Sequence, residues 1–122
     1  MAKHILLVFS NPTSGKESEY NEWYDKVHIP DVLNVRGFMS AVRFKVAQAQ
    51  LDGTTNHPYK YLSLYELGTD DLAASLTELR NRLGTKDMVV SDAIDLTGAQ
   101  AIAFTEVAGR VLKDVGRARQ RA

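Results

Sequence analysis

Five consecutive apolar residues, Ile5-Leu6-Leu7-Val8-Phe9, stand near the start of the chain and leave it no polar face there. Successive side chains of an extended strand point to opposite sides of a sheet, so such a run has to be covered on both. It is far shorter than the roughly 18 residues of a membrane-spanning helix. It also lacks the small-residue cleavage site that follows a secretory leader, and so reads as a buried strand. A later segment makes the same demand: between Tyr59 and Leu67, Tyr61 and Tyr65 alternate with Leu62 and Leu64, bulky on both sides.

The remaining elements follow from periodicity and punctuation. Lys3 to Phe9 is the first strand, closed by Ser10-Asn11-Pro12, and a loop from Asn11 to Gly15 leads into a helix. Gly37 starts a second strand in which Phe38, Ser40, Val42, Phe44 and Val46 alternate with Met39, Ala41, Arg43, Lys45 and Ala47. Asp52-Gly53 and Asn56 supply the turn chemistry of a hairpin connection to the third strand. A second helix takes Thr69 or Asp70 as its N-cap, aligns Leu72, Leu76, Leu79 and Leu83, and stops at Gly84. Ala99 to Val107 is a fourth strand, with Met88 to Gly98 left open between helix and strand. No repeat and no low-complexity stretch interrupts this order.

Strand, helix, strand, strand, helix, strand is the split βαβ order of an α+β, ferredoxin-like fold with a four-stranded antiparallel sheet. Helices cover one face of such a sheet, so its other face ought to be polar if it met water. The doubly apolar strands predict instead that a second copy packs sheet against sheet in a two-fold homodimer. With 122 residues, 44% of them hydrophobic, the chain suits a single domain. That domain is expected over 1–109, followed by a basic tail, 110–122, in which Arg110, Lys113, Arg117, Arg119 and Arg121 outnumber Asp114. The absence of cysteine excludes disulfides, thiolate metal sites and a cysteine nucleophile, and it fits a cytoplasmic setting.

Chemistry concentrates in the first helix. Glu19-Tyr20-Asn21-Glu22-Trp23-Tyr24-Asp25-Lys26-Val27-His28-Ile29-Pro30-Asp31 holds the only Trp of the chain, two of its five Tyr and one of its three His. At about 100° per residue, Tyr20, Tyr24, Val27 and Asp31 share the inward face, with His28 on its shoulder and Trp23 to the other side. Asn21, Glu22, Asp25 and Lys26 form the solvated side. Pro30 removes a backbone donor and predicts a kink that strands the Lys26 carbonyl. His28 is the candidate general acid or base, because imidazole titrates near neutrality and a nearby carboxylate can fix its tautomer. Asp31 is the preferred partner, as an inward carboxylate whose desolvation would raise its pKa. Capping and pinning of the kink is an equally good account of the two residues. Tyr20, Trp23 and Tyr24 on the helix, with Tyr61 and Tyr65 on the third strand, are the candidate substrate-binding wall.

Other motifs carry less. His4 and His57 lack metal-ligand spacing with each other or with His28, so no metal is expected. Ser10 to Lys16 lacks the first glycine of a phosphate loop and the hydroxyl residue after its lysine. Arg43 and Lys45 flank Phe44 on a strand, but the glycine and aromatic run of an RNA-binding sheet is missing, and no nucleic-acid partner is expected. The alternating Ala99, Ala101 and Ala103 could leave room beside the first helix or allow a helix to approach closely.

The Trp-Tyr-His-Pro pattern of the first helix, followed by Gly37-Phe38 at the second strand, resembles the dimeric α/β-barrel superfamily, particularly its EthD-like proteins. That resemblance implies a ferredoxin-like protomer, a sheet-to-sheet dimer and a pocket between each sheet and its helices. It carries His28 over as a functional position. Relatives include cofactor-free lactone isomerases, polyketide cyclases, monooxygenases and haem enzymes, so the fold leaves the reaction open. The expectation is a cofactor-free isomerase, cyclase or lyase that moves a proton in a small apolar carbonyl or lactone compound of aromatic or polyketide metabolism. A cofactor-independent or haem-dependent monooxygenase and a noncatalytic small-molecule-binding dimer are the alternatives.

Overall fold

The computed structural model describes residues 2–113. Part of the basic tail, from Asp114 onward, lies outside the described residues, whereas Arg110 to Lys113 form an exposed segment without regular structure. The elements are β1 (Lys3–Pro12), α1 (Glu17–Trp23), a π-helical turn (Tyr24–His28), α2 (Ile29–Leu33), β2 (Phe38–Lys45), β3 (Tyr61–Gly68), α3 (Leu72–Arg82) and β4 (Ile94–Thr105). All strand pairs are antiparallel and the sheet order is β2-β3-β1-β4. The expected α+β, βαββαβ architecture is therefore present. Its two central strands are β1 and β3, the pair whose sequences are bulky on both sides.

The helices cover one face of the sheet. Beneath them Leu6, Tyr65, Leu67 and Phe38 pack against Val32, Val35 and Met88, and Leu72, Leu76 and Leu79 of α3 close the cluster from above. Asp71 caps α3, its side chain accepting a hydrogen bond from the Ala74 amide, one residue beyond the cap expected from the sequence. Gly84, at φ +83°, ends that helical segment where only glycine sits without strain. Gly37 is a second such position: at φ +86° it lies so close to α3 that a Cβ there would meet Ser75 Oγ at 2.6 Å. Of the Met88 to Gly98 region, Met88 to Ala93 is a loop that buries both of those residues, and Ile94 to Gly98 is already strand, so β4 starts five residues earlier than expected and ends at Thr105.

Two one-residue insertions change which side chains meet. In β2 the pairing shifts between Phe38 and Ser40, leaving Met39 as a bulge. A bulge reverses the facing of everything beyond it. Phe38 lies on the helix side, but Ala41, Arg43 and Lys45 follow it there, opposite Tyr65, Ser63 and Tyr61. Val42 and Phe44 are turned to the open face, so the unbroken alternation read from the sequence is not kept.

The second insertion is the π-turn. Pro30 offers no N–H and its ring would crowd the carbonyl four residues back. The chain relieves this by widening the turn before it, with the Ile29 amide reaching the Tyr24 carbonyl five residues back. In a regular helix steps of four residues drift around the axis by about 40° each. The wider turn cancels that drift, so Tyr20, Tyr24, His28 and Val32 are all buried. Val27 and Asp31, expected inward, are displaced: Val27 is exposed and Asp31 is only half-buried.

Candidate functional site

The helix-facing residues of β1, β2 and β3 meet α1 and the π-turn in a layer of aromatic rings. Tyr20 lies edge-on to Tyr24 at 5.0 Å and tilted against Tyr61 at 5.0 Å, while Trp23 meets Tyr24 edge-on at 4.9 Å. Each such pair contributes about 0.5–1.5 kcal/mol beyond the area it buries. The Ser10 and Tyr20 hydroxyls are hydrogen-bonded at 2.6 Å, and the Trp23 indole N–H donates to the Val89 carbonyl at 3.1 Å, tying the loop before β4 to the helix. The five expected wall residues, Tyr20, Trp23, Tyr24, Tyr61 and Tyr65, are thus all on this side of the sheet and all buried. They fill the space between helix and sheet with one another. A cleft of about 640 Å³ opens elsewhere, at the end of the sheet among Ile5, Met39, Glu66, Phe104 and Arg110.

His28 is 8% exposed, sandwiched between the Trp23 ring, stacked at 4.5 Å, and Tyr24, edge-on at 5.3 Å. Its Nδ1 is enclosed and has no hydrogen-bond partner. Burial without a counter-charge disfavours the imidazolium and pushes the pKa down to about 4, so the ring is neutral at physiological pH. The expected pairing with Asp31 is not present, because the π-turn rotates Asp31 away and no hydrogen bond joins the two. His4 contrasts with His28: its two ring nitrogens are bonded to Thr105 Oγ1 and the Thr69 carbonyl at 3.0 Å, a satisfied structural histidine.

Arg43 carries no site signal in the periodicity of its strand, yet the β2 bulge places it at the centre of the cluster. Its guanidinium lies over Tyr24 at 4.6 Å, with Tyr61 at 5.4 Å and Tyr20 at 5.6 Å from the same carbon. Nη1 donates to Asp25 at 2.7 Å and Nη2 to Asn21 at 2.8 Å. Asn21 and Asp25, expected as solvated helix surface, are therefore its anchors. Arg43 Nε is enclosed without a partner. The signal that could have found this group was Glu17, Asn21 and Asp25 at four-residue spacing, a polar stripe beside the aromatic one.

Glu17 closes the outer end. It accepts from Lys60 Nζ at 2.8 Å and from the Tyr61 hydroxyl at 2.5 Å, and those two bonds hold its carboxyl down at about 2. Burial pushes the Tyr20 phenol up to about 12, opposed by its bond to Ser10. The same cause, with Tyr24 nearby, pushes the Tyr65 phenol above the ordinary tyrosine range. The Ser63 hydroxyl on the same strand face opposes that shift without forming a well-aimed hydrogen bond, so the Tyr65 hydroxyl has no partner. Among the described residues no group of three or more His, Cys, Asp and Glu is placed to hold a metal ion. No helix among them is long and apolar enough to cross a membrane.

The topology and the ring-lined helix-to-sheet layer define a ferredoxin-like α+β protein with its polar residues gathered under the first helix. Residues 4–81 match the family described as a domain of unknown function, DUF4286, and the chain belongs to that family. A solved structure of an EthD (ethyl tert-butyl ether D) family protein from Bacillus halodurans C-125 is similar, at a TM-score of 0.49 and 11% identity, over 87% of this chain and 99% of that one. No curated protein matches the chain.

Proposed function

We propose that the protein is a homodimeric, cofactor-free acid/base enzyme that moves a proton within a small apolar carbonyl or lactone compound, with His28 as the base. The observation that carries this reading is the enclosed, unpaired Nδ1 of a histidine held neutral between two aromatic rings. In the tautomer protonated at Nε2, Nδ1 presents a free lone pair, and the ring is in its unprotonated, proton-accepting form at physiological pH, a weak base whose strength rises as negative charge develops on the substrate beside it. Buried polar atoms are nearly always paired, so an unpaired one at a ring-lined site calls for a partner that arrives with the substrate. Entry requires the Tyr24 ring to swing from its layer, and the π-turn is the segment that would move it, such turns being frequent at functional sites.

The test needs no knowledge of the natural substrate. A panel of enolisable ketones and lactones is incubated with the protein in deuterated water, and exchange beside the carbonyl is followed by NMR. Exchange catalysed by the wild type and lost in a folded His28→Gln variant is expected. Equal exchange by both would remove His28 from the mechanism.

The dimer part of the proposal rests on the open sheet face. Phe44 and Phe104 are about half exposed there, and Ile5, Leu7, Val42, Leu64 and Ile102 surround them. Such a contiguous apolar face is uncommon on a monomer and suits a second copy of itself. One observation favours the alternative of a noncatalytic dimer with a purely structural cluster: Tyr20, Tyr24 and Tyr65 are each no more than 1% exposed. Absence of exchange across the whole panel, with a stable dimer in solution, would favour that alternative.

A further inference from the structure

We propose that Arg43 and Tyr65 form the oxygen-binding half of this site, and that the compound it accepts is a planar enolate or phenolate held among the tyrosine rings. The inference rests on the proton-transfer reading and names its substrate class. It begins with two of the donors that the fold leaves over, the Nε–H of Arg43 and the hydroxyl of Tyr65, both enclosed and unpaired on the helix-facing side of the sheet. An enclosed donor without a partner bears its whole desolvation penalty. Two such donors on one surface are a more demanding coincidence than one.

The register puts them there. Arg43 pairs with Ser63 and Ala41 with Tyr65, so the two side chains are diagonal neighbours on adjacent strands, both facing the helices. Nη1 donates to Asp25 and Nη2 to Asn21, which immobilises the group, and Nε is the guanidinium nitrogen enclosed without any partner. Tyr20, Tyr24 and Tyr61 surround the guanidinium carbon, and with the Tyr24 ring swung from its layer the ring faces that remain would flank a conjugated ligand.

Charge selects the same ligand. Arg43 is permanently cationic, and its partner Asp25 has a largely exposed side chain whose compensating charge is screened by water. His28 adds no positive charge, and burial keeps the Tyr65 phenol protonated and therefore a donor. The site is consequently rich in donors and suited to an oxygen that becomes negative. When His28 takes the proton from the carbon beside a carbonyl, the C–H electron pair forms the new C=C bond and the carbonyl π pair moves to oxygen. Arg43 and Tyr65 then hold that oxyanion, and return of the proton from His28 to another carbon completes an isomerisation with no change of oxidation state.

The probe is 4-nitrophenol, whose ionised form has its own visible absorption band. It is titrated into the full-length protein at a pH where the free compound is mostly neutral. The expected result is binding as the phenolate, weakened about tenfold by Tyr65→Phe and by Arg43→Lys, each removing or displacing one donor. Tyr65→Phe deletes an unpaired hydroxyl and nothing that packs, so it should melt at the same temperature as the wild type or higher, which a structural hydroxyl would not allow. Binding of the neutral phenol, no saturable binding to the wild type, or an affinity unmoved by Tyr65→Phe would each overturn the proposal. Failure of the proton-transfer reading looks different: exchange would survive His28→Gln while Tyr65→Phe still lost the phenolate.

Discussion

Replacing His28 with glutamine removes a titratable ring from between Trp23 and Tyr24, and the structure sets both the sign and the size of the consequence for stability. The folded imidazole has its pKa depressed by burial from 6.5 to about 4. Between those values the unfolded chain binds a proton that the folded chain refuses, so acidification drains stability from the wild type. The loss begins as pH falls through 6.5 and is complete below the folded pKa. At about 1.4 kcal/mol per tenfold change in proton affinity, it amounts to about 3 kcal/mol by pH 4. The glutamine side chain of the variant does not titrate, and the carboxylates that also respond to acid, Glu17 among them, are common to both proteins and cancel in the difference. Urea unfolding from pH 7 to pH 4, followed by circular dichroism, gives the two stability curves. The wild-type curve should fall more steeply than the variant's by that amount. Parallel curves would refute the account of a desolvated, unpaired ring, as would an NMR titration of the folded protein in which His28 ionises near 6.5.

Other substitutions probe the remaining steps. Asp31→Asn should leave the NMR titration of His28 unmoved, since the π-turn separates the two; a shift of that curve would restore the pairing. Gly37→Ala introduces both a disfavoured φ and a contact with Ser75 Oγ, and should cost about 2–4 kcal/mol in urea unfolding. Gly84→Ala, with open space around it, should cost only about 1 kcal/mol, and equal costs would show that the helix approach at Gly37 is loose. Phe104→Glu on the open sheet face should convert a dimer to monomer in sedimentation at micromolar concentration with the circular dichroism unchanged. A wild type that sediments only as monomer would end the dimer proposal.

The fold was legible because its signals are local and redundant. Doubly apolar β1 and β3 became the two central strands, Asp52-Gly53 lies in the β2–β3 connection, and Gly84 stops α3. Each depends on a few neighbouring residues and on a period of two or 3.6 that folding preserves. The aromatic wall was legible for the same reason, because Tyr20 and Tyr24 are a helical turn apart and Tyr61 and Tyr65 share a strand face.

Arg43 and Asp31 defeat a periodic reading by one mechanism in two guises. A period fixes the facing of a side chain only while the count of residues is unbroken. The Met39 bulge reversed β2 and brought Arg43 under the helix, and the π-turn before Pro30 advanced the helix register and exchanged Asp31 for Val32. Neither insertion has a periodic signature. Their places follow from how well the strands and helices pack once together: β2 presents Phe38 to the core and then Val42 and Phe44 to the open face, and the end of α1 and the turn after it bury Trp23, Tyr24 and His28 in succession only because that turn is wider. The sequence by itself determined the elements, their order and the aromatic character of the layer beneath the first helix. Only the tertiary structure decided which charged and polar groups enter that layer, because the energy of packing a whole face, summed over many contacts, outweighs the local cost of one extra residue in a turn or strand.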